Sequence, residues 1–478
     1  MHPGDSLDDR GAYPWAVAGS ADARGIFSNC YVVCHRYSRQ LQEMAGSRGS
    51  ARREFLRERK HAEIRLSQLG TRASGIEFED SDLQEIRDLL GGESGDAALR
   101  RTGALLTALS AFLRARIGRM ERLGPVRFRA ASGDEFHVST TPCEPLWGRG
   151  KVRPEHEVSD MLVAFHPGLT VTPAVIAGPD GGNWRIERKV VGAIWRNALK
   201  GRAGSLKIAV CPMTAHPPNL RKTREPEPGD PTPWVIASVD GEDEQVEFLE
   251  RILNRCVEER ISVLVLPELR ATPRLRGMLE GWLRAQRGPE GLLLVVAGSW
   301  HVEDGGHYVN RCHALDGRGR VLWTNDKLAE YHITVDNVRK AKAYWEACGI
   351  GENGGVEDIA LGGALVVADT PLGRMTTAIC AGFFQKSARH VMENCDANFF
   401  FVPTMSPKMD RLETVANVLA WSNGATFVAN CGSVGTRAPS FWCDPLDGLR
   451  EAHIGQELLI WQFDNTLGTL KRPSLESK

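Results

Sequence analysis

The chain has 478 residues, of which 42% are hydrophobic and 25% are charged, a composition typical of soluble globular proteins. Collagen-like, coiled-coil and wholly disordered proteins are therefore excluded. The 59 Lys and Arg residues almost balance the 60 Asp and Glu residues, and the formal charge of -1 gives no support to general polyanion binding. At roughly 150 residues per domain, this length predicts two or three domains.

Neither a membrane segment nor a secretory leader is expected. No stretch approaches the roughly 18 consecutive apolar residues of a membrane helix, and the chain begins with polar and acidic residues. The 11 cysteines are odd in number and scattered, which favours reduced thiols over a disulfide framework. The sequence thus predicts a cytoplasmic protein with no membrane association.

Residues 1–204 are predicted to form a separate, helix-rich α+β region of unknown role. Helix formers with interleaved charges predict a helix over 51–69, and leucines three and four positions apart predict another over 97–120. Short alternating runs between 125 and 180 indicate strands or irregular structure. The region carries a small excess of basic residues, which is compatible with a protein or RNA partner but equally with solvated helix faces.

No metal or cofactor is predicted. Cys30, Cys34 and His35 resemble one corner of a metal site, but no second ligand pair follows at a suitable spacing, so a structural role is favoured. The sequence also lacks a GxxxxGK[ST] phosphate-binding loop and a Tyr-x-Asp-Asp polymerase signature.

From residue 205 to 470 the sequence alternates between strands and helices, which predicts an α/β domain, and 471–478 is expected to be a tail. A Pro-rich connection at 216–233 is expected to lack regular structure. Strands are predicted at 206–210, 261–266, 291–297, 307–315, 320–324, 364–368, 373–379, 398–402 and 425–430, and helices at 242–260, 273–286, 385–394 and 410–423.

Three ionisable residues follow buried strands of this domain. Glu268 comes after VLVLP, Lys327 lies four residues beyond the strand 320–324, and Cys380 ends the run RMTTAIC. The ends of such strands open into the crevice where α/β proteins bind ligands, so the three side chains are expected to meet there. A thiol, an acid and an amine together provide a nucleophile, a proton carrier and an oxyanion stabiliser for acyl transfer.

An ordered set of segments extends from residue 205 to about 465. The segments are LKIAV, LVLPE with Glu268, AGSW, the Lys327 segment, TPLGRMTTAIC with Cys380, ANFFFVPT, AWSNGATFVANC and ELLIWQFD. In this order they resemble the nitrilase superfamily of carbon–nitrogen hydrolases. The resemblance implies a four-layer αββα sandwich that pairs into dimers or larger assemblies.

By this resemblance, Glu268 is the general base, Lys327 stabilises the tetrahedral oxyanion together with a backbone amide after Cys380, and Cys380 forms a thioester with the substrate. Many members carry a second Glu between the Lys and the Cys that orients substrate or Lys. Glu346 is slightly preferred for this accessory role over its rivals Glu352 and Glu357.

Three segments depart from the family pattern. Ala381 and Gly382 follow the Cys, where an aromatic residue and Asp are common. The Lys segment lacks the usual Lys-x-His-Leu and has a displaced His332. The loop after Glu268 carries three arginines, interpreted either as a solvated helix face or as a contact for an anionic substrate: Arg270, Arg274 and Arg276.

The favoured function is hydrolysis of a non-peptide amide, ahead of a nitrile, with acyl transfer to an amine as a further possibility in the family. The alternative is a non-catalytic nitrilase-like scaffold, for example in a bacterial antiviral assembly with a reverse transcriptase. The expected partners are a small amide or nitrile and a second copy of the chain. Residues 1–204 are a candidate region for binding a protein or RNA, with solvated helix faces as the equal alternative.

Overall fold

The structure is a computed structural model of the chain. It describes residues 23–37, 40, 41, 43, 50–72, 80–90, 95–120, 126–130, 134–139, 170–179, 181–191, 205–213, 218–286, 291–370, 372–406, 409–421, 424–431, 439–445, 447–452 and 456–464. The predicted tail at 471–478 lies outside these residues.

The chain divides into two compact units, with residues 1–143 and 152–175 in the first and residues 144–151 and 176–478 in the second. This division differs from the predicted boundary at residue 204 in assigning the strand Asn183–Val190 to the second unit. Strand Asn183–Val190 pairs in parallel with strand Ala364–Thr370. Arg188 forms a buried ion pair with Asp369 across this pairing. The strand's polar sequence gives no sign of a partner that lies far along the chain.

The first unit is a helical layer with a small sheet. Its core includes Phe27, Leu66, Leu106 and Phe128. No helix within the described ranges is long and apolar enough to cross a membrane. The helices are α1 (Ala23–Arg36), α2 (Ser50–Arg72), α3 (Asp80–Leu90) and α4 (Gly95–Met120), and the antiparallel strands are β1 (Val126–Arg129), β2 (Glu135–Ser139) and β3 (Thr170–Pro173).

The second unit contains two large sheets. One has six strands in the order β12-β11-β10-β9-β6-β21, and the other has eight in the order β20-β19-β18-β17-β16-β15-β5-β4. The strands of these sheets are β4 (Val175–Ala177), β5 (Asn183–Val190), β6 (Ser205–Val210), β9 (Val263–Val265), β10 (Leu294–Asp304), β11 (His307–Asp316), β12 (Val321–Asp326), β15 (Ala364–Thr370), β16 (Gly373–Thr377), β17 (Phe399–Thr404), β18 (Ala425–Asn430), β19 (Phe441–Asp444), β20 (Gly448–Glu451) and β21 (Leu459–Asp464).

The helices of this unit are α5 (Glu242–Glu258), α6 (Pro273–Ala285), α7 (Val335–Lys340), α8 (Lys342–Ala347), α9 (Ala381–Phe384), α10 (Lys386–Asn394) and α11 (Asp410–Trp421).

The two large sheets pack face to face and are covered by helices on their outer faces. Val265 of the six-stranded sheet and Phe401 of the eight-stranded sheet belong to one buried apolar cluster. Alternate side chains along the same strands face outward: Leu264 packs with α5 and α6, and Phe400 packs with α10 and α11. Central strands such as β9 and β17 are almost continuously apolar, because both of their faces are buried. The predicted four-layer αββα architecture is confirmed.

A third, four-stranded sheet lies within the second unit in the order β13-β14-β8-β7. It corrects the expectation that residues 216–233 lack regular structure. Pro218 begins an edge strand, where a residue without an N–H does not interrupt the ladder. The strands are β7 (Pro218–Lys222), β8 (Thr232–Val239), β13 (His332–Ile333) and β14 (Gly355–Glu357).

Candidate active site

The three predicted site residues follow strands β9, β12 and β16 and are all buried. Glu268 is 2% exposed, Lys327 2% and Cys380 1%. Cys380 has the left-handed backbone angles φ 41° and ψ −109° at the sharp turn into α9. Such angles are strained for a residue with a side chain and occur preferentially at functional sites.

Glu268 and Lys327 form a direct ion pair. Lys327 Nζ donates to Glu268 Oε1 over 2.8 Å, and Asn310 Nδ2 donates to the same oxygen over 3.1 Å. The other oxygen, Oε2, accepts the Met405 N–H at 3.0 Å. A carboxylate offers about four acceptor positions, so Glu268 retains one position on Oε2 for a further proton donor.

Cys380 lies in the electrostatic field of this pair. Burial raises the pKa of the thiol well above its ordinary value, and the Glu268 charge raises it further. Lys327 lowers the pKa, as do the Thr404 side chain and the Met405 N–H. The Met405 N–H thus bonds to Glu268 Oε2 and also favours the Cys380 thiolate.

Glu357, and not Glu346, lies beside Lys327. Lys327 Nζ donates to Glu357 Oε2 over 2.6 Å, and Glu357 is fully buried. The side chain of Glu346 is 51% exposed and pairs with Lys342, which also contacts the exposed Glu352. The preference for Glu346 is therefore corrected, because the short helix α8 carries it on the surface whereas β14 places Glu357 beside Lys327 in the interior.

Glu357 is saturated with hydrogen-bond donors. Oε2 also accepts the Tyr331 N–H at 3.0 Å, and Oε1 accepts from Asn310 Nδ2 at 2.9 Å and lies 2.8 Å from His301 Nε2. Burial acts to raise the pKa of Glu357, but the Lys327 charge and the His301 bond outweigh it and lower the pKa to about 2. Glu357 is thus an anion at neutral pH with no acceptor position left for a substrate proton.

Lys327 is held as a cation by its two carboxylate neighbours. Burial acts to lower its pKa, but the charges of Glu268 and Glu357 raise it above the ordinary value. The site therefore contains two carboxylates and one ammonium, and the Cys380 thiol remains protonated at neutral pH.

Three further site residues were not identified from the sequence: Asn310, His301 and Tyr331. Asn310 Nδ2 donates to both Glu268 and Glu357. The backbone carbonyl of Asn310 accepts the backbone N–H of Lys327 at 2.9 Å. Burial and the nearby Cys380 raise the pKa of Tyr331 to about 12. The available signal was a polar residue interrupting an apolar strand, as Asn310 does in VNRCHAL and His301 in GSWHV.

The remaining polar residues singled out in the sequence separate into different environments. Arg270 is 2% exposed, and its charge acts on Cys431 and Tyr344. Arg274 pairs with Asp243 on the surface, and Arg276 contacts Glu280 and His313. His332 is exposed and lies 2.9 Å from Glu330.

Two glycines permit the close approaches that build the site. Gly298 has φ +75°, and a Cβ there would lie 2.2 Å from the Pro267 carbonyl oxygen, so no side chain fits against the turn that carries Glu268. At Gly382 a Cβ would lie 3.0 Å from the Leu328 backbone nitrogen. The small residues after Cys380 thus let its turn pack against the Lys327 loop, where a larger residue would collide.

Within the described part of the chain, no group of three or more His, Cys, Asp or Glu side chains is arranged to hold a metal ion. Cys30 and Cys34 are buried in the core of the first unit. The chemistry available in the cleft is that of a thiol, a carboxylate and an ammonium.

Comparison with known proteins gives one family match. Residues 283–467 match the carbon-nitrogen hydrolase family, a range that contains Lys327, Glu357 and Cys380 and begins after Glu268. No curated protein sequence matches the chain.

Solved structures with a similar fold include a glutamine-dependent NAD+ synthetase from Acinetobacter baumannii, at 14% identity and a TM-score of 0.39. That likeness covers 57% of this chain and 49% of the synthetase, so the chain spans about half of the synthetase's length. An amidase from Nesterenkonia sp. is 16% identical, with a TM-score of 0.37 and coverage of 55% of this chain and 91% of the amidase. The family match within an αββα unit shows that this chain contains a domain of the nitrilase superfamily of carbon–nitrogen hydrolases.

Proposed function

We propose that the second unit is a thiol-dependent carbon–nitrogen hydrolase that cleaves a non-peptide amide through a Cys380 thioester. The observation that carries the proposal is the buried Lys327–Glu268 contact of 2.8 Å, with the Cys380 thiol in the electrostatic field of both residues. A nucleophile, a proton carrier and a cation thus interact with one another in the interior of the second unit.

In the first step, the Cys380 sulfur attacks the amide carbon while its proton passes to Glu268 Oε2. Glu268 suits this role because it accepts three hydrogen bonds, whereas Glu357 accepts four. The raised thiol pKa makes the coupled proton transfer necessary, since little free thiolate exists at neutral pH.

The tetrahedral oxyanion is stabilised by the Lys327 ammonium and by the N–H of Ala381. Within the described residues this N–H meets no hydrogen-bond acceptor, while the next two N–H groups bond to Ile379 and Cys380. Protonated Glu268 then gives its proton to the leaving nitrogen, the C–N bond breaks, and the acyl thioester remains on Cys380.

In the second step, water attacks the thioester carbon and transfers a proton to Glu268. A second oxyanion forms and is stabilised by the same two groups, Lys327 and the Ala381 N–H. The C–S bond then breaks, and the proton passes from Glu268 to the sulfur as the carboxylic acid leaves. The cycle consumes one water molecule and regenerates the thiol and the carboxylate.

Intact-mass spectrometry of the full chain after incubation with small amides and nitriles tests the proposal. We expect an adduct whose mass equals that of the acyl group, and we expect no adduct in Cys380→Ala. The adduct should accumulate in any variant that acylates at a normal rate but hydrolyses the thioester slowly. Formation of the adduct from amides but not nitriles identifies an amidase, and loss of the adduct on adding an amine identifies an acyltransferase.

The scaffold alternative makes the opposite prediction. If the unit is a scaffold, the parent chain forms no adduct with any member of the panel, and Cys380→Ala assembles with partners as the parent does. If the unit is an enzyme, Cys380→Ala loses turnover and retains the melting temperature of the parent. A folded wild-type chain that never acylates would reject the proposed function.

A further inference from the structure

We infer that His301 is a positioning residue. Its Nε2–H donates to Glu357 and thereby keeps the Lys327 ammonium, which Glu357 binds, in position to act on Cys380. The inference rests on the proposed function, because it assigns a task within the same site. It is carried by a chain of contacts that runs from β8 through His301 and Glu357 to Lys327.

The hydrogen bonds of His301 fix its tautomer. Its Nδ1 accepts the backbone N–H of Ile236 at 2.8 Å, so Nδ1 carries no proton. The proton of the neutral ring therefore lies on Nε2, which faces Glu357 Oε1 at 2.8 Å. Because Ile236 belongs to β8, the ring is tied to a regular strand and donates in one fixed direction.

Glu357 is held from two directions. Its own strand, β14, pairs in parallel with β8, with Glu357 opposite Trp234. On Oε1 it accepts from His301 and Asn310, and on Oε2 it accepts from Lys327 and the Tyr331 N–H. The small four-stranded sheet thus supplies both the acid and the strand that orients its histidine partner.

Loss of the His301 donor changes the position of Lys327. A buried carboxylate deprived of one donor binds its remaining donors more closely, since no water replaces the missing bond. The Lys327 ammonium then shifts towards Glu357 and away from Glu268 and Cys380. The ammonium favours the Cys380 thiolate, so this shift disfavours thiolate formation and weakens oxyanion binding.

Among the described residues, the charged and titratable groups that act on the Cys380 sulfur come from different elements. Glu268 follows β9 and disfavours the thiolate, Lys327 follows β12 and favours it, and Tyr331 lies in the loop before β13. Glu357 acts on the sulfur through Lys327. The rate of thiol alkylation at fixed pH therefore reports the position of Lys327.

The test compares alkylation of Cys380 by iodoacetamide in His301→Phe and His301→Gln, using the full chain with Cys348→Ser. Phe keeps the size of the ring without its donor, whereas Gln offers both an N–H donor and a carbonyl acceptor. We expect the alkylation rate to fall about 10-fold in His301→Phe, the effect of raising the thiol pKa by about one unit. His301→Gln should stay within about 3-fold of the parent.

Whether the alkylation rate of Cys380 rises or falls in His301→Phe distinguishes a positioning role of His301 from a merely structural one. Loosening of the site exposes the sulfur and speeds alkylation, whereas displacement of the ammonium slows it. His313→Phe is the matched control, because His313 is also buried but contacts Arg276 rather than Glu357. Faster alkylation in His301→Phe, an unchanged rate, or equal losses in the Phe and Gln variants would each overturn the inference.

Turnover provides an independent readout once an acylating amide is known. We expect His301→Phe to lower kcat about 10- to 100-fold with little change in KM. This is the effect seen for other residues that orient a reactive group through one intervening side chain. If the parent never acylates but its alkylation still slows in His301→Phe, the proposed function fails and the positioning role stands. If the parent acylates and His301→Phe leaves both rates unchanged, the positioning role fails and the proposed function stands.

Discussion

Lys327 Nζ lies 2.8 Å from Glu268 Oε1, so the cation proposed to stabilise the oxyanion is paired with the carboxylate proposed to take the thiol proton. When Glu268 becomes protonated, its attraction for Lys327 weakens. The ammonium is then more available to the oxyanion that forms in the same step. The pairing therefore couples proton transfer to charge stabilisation.

Replacement of Glu268 tests its role as general base. Glu268→Gln keeps the size of the side chain but cannot accept the thiol proton, and we expect acylation to slow about 100- to 10,000-fold. Adduct formation followed by mass spectrometry measures the rate. Glu346→Gln is the matched control, because this acid is exposed and far less constrained. Similar rates in the two variants would contradict the assignment.

Removal of Lys327 tests the charge balance of the buried site. Lys327→Met leaves Glu268 and Glu357 buried without their cation, and we expect a loss of roughly 3–5 kcal/mol in the free energy of unfolding. Denaturant titration measures the loss. The double variant Lys327→Met/Glu357→Gln should recover part of it, because only one buried charge is then uncompensated. A double variant no more stable than Lys327→Met would refute this account.

Glu357 should make stability depend on acid pH. Its folded-state pKa is about 2 against an ordinary value of 4.5, so folding is favoured while the group is ionised. This contribution is complete above pH 4.5 and is lost as the pH falls towards about 2. Denaturant midpoints measured from about pH 6 to about pH 2.5 should fall less steeply in Glu357→Gln than in the parent chain. Equal slopes would be inconsistent with the lowered pKa.

The order in which the cysteines are labelled should depend first on their solvent exposure and only then on their thiol pKa values. Among the ten described cysteines, Cys348 is partly exposed and the others are buried, so we expect it to react first with iodoacetamide. In Cys348→Ser, Cys380 should react slowly at neutral pH and faster as the pH rises, because its pKa is raised. Peptide mapping locates the label. A rate for Cys380 that does not change with pH would contradict a protonated resting thiol.

Gly382 should tolerate larger residues poorly. Gly382→Ala places a Cβ 3.0 Å from the Leu328 backbone nitrogen, so the Cys380 turn or the Lys327 loop must shift by a few tenths of an ångström. We expect a loss of about 1–3 kcal/mol in stability, measured by denaturation, together with slower acylation. Gly277→Ala is the control, since a Cβ there meets no atom within 4 Å and helix α6 should gain up to about 1 kcal/mol. Equal effects of the two changes would exclude the proposed collision.

The alternation of apolar strands and helices allowed an α/β domain to be predicted over residues 205–470, because hydrophobic patterning is local. The αββα arrangement of that domain was an implication of the family resemblance. The strand β5 was missed, since its sequence NWRIERKV is polar and its partner β15 lies far along the chain. The Pro-rich hairpin was missed because edge strands tolerate proline, and edge position is not visible in sequence.

The sequence by itself determined that Glu268, Lys327 and Cys380 each follow a buried strand, at positions expected from a family resemblance. Only the tertiary structure decided the partners of these groups. It selected Glu357 over Glu346, and it brought His301 and Asn310 to that acid from strands β10 and β11. The physical reason is that hydrogen-bond saturation and burial depend on distances between chain-distant atoms, and those distances arise only when the sheets pack.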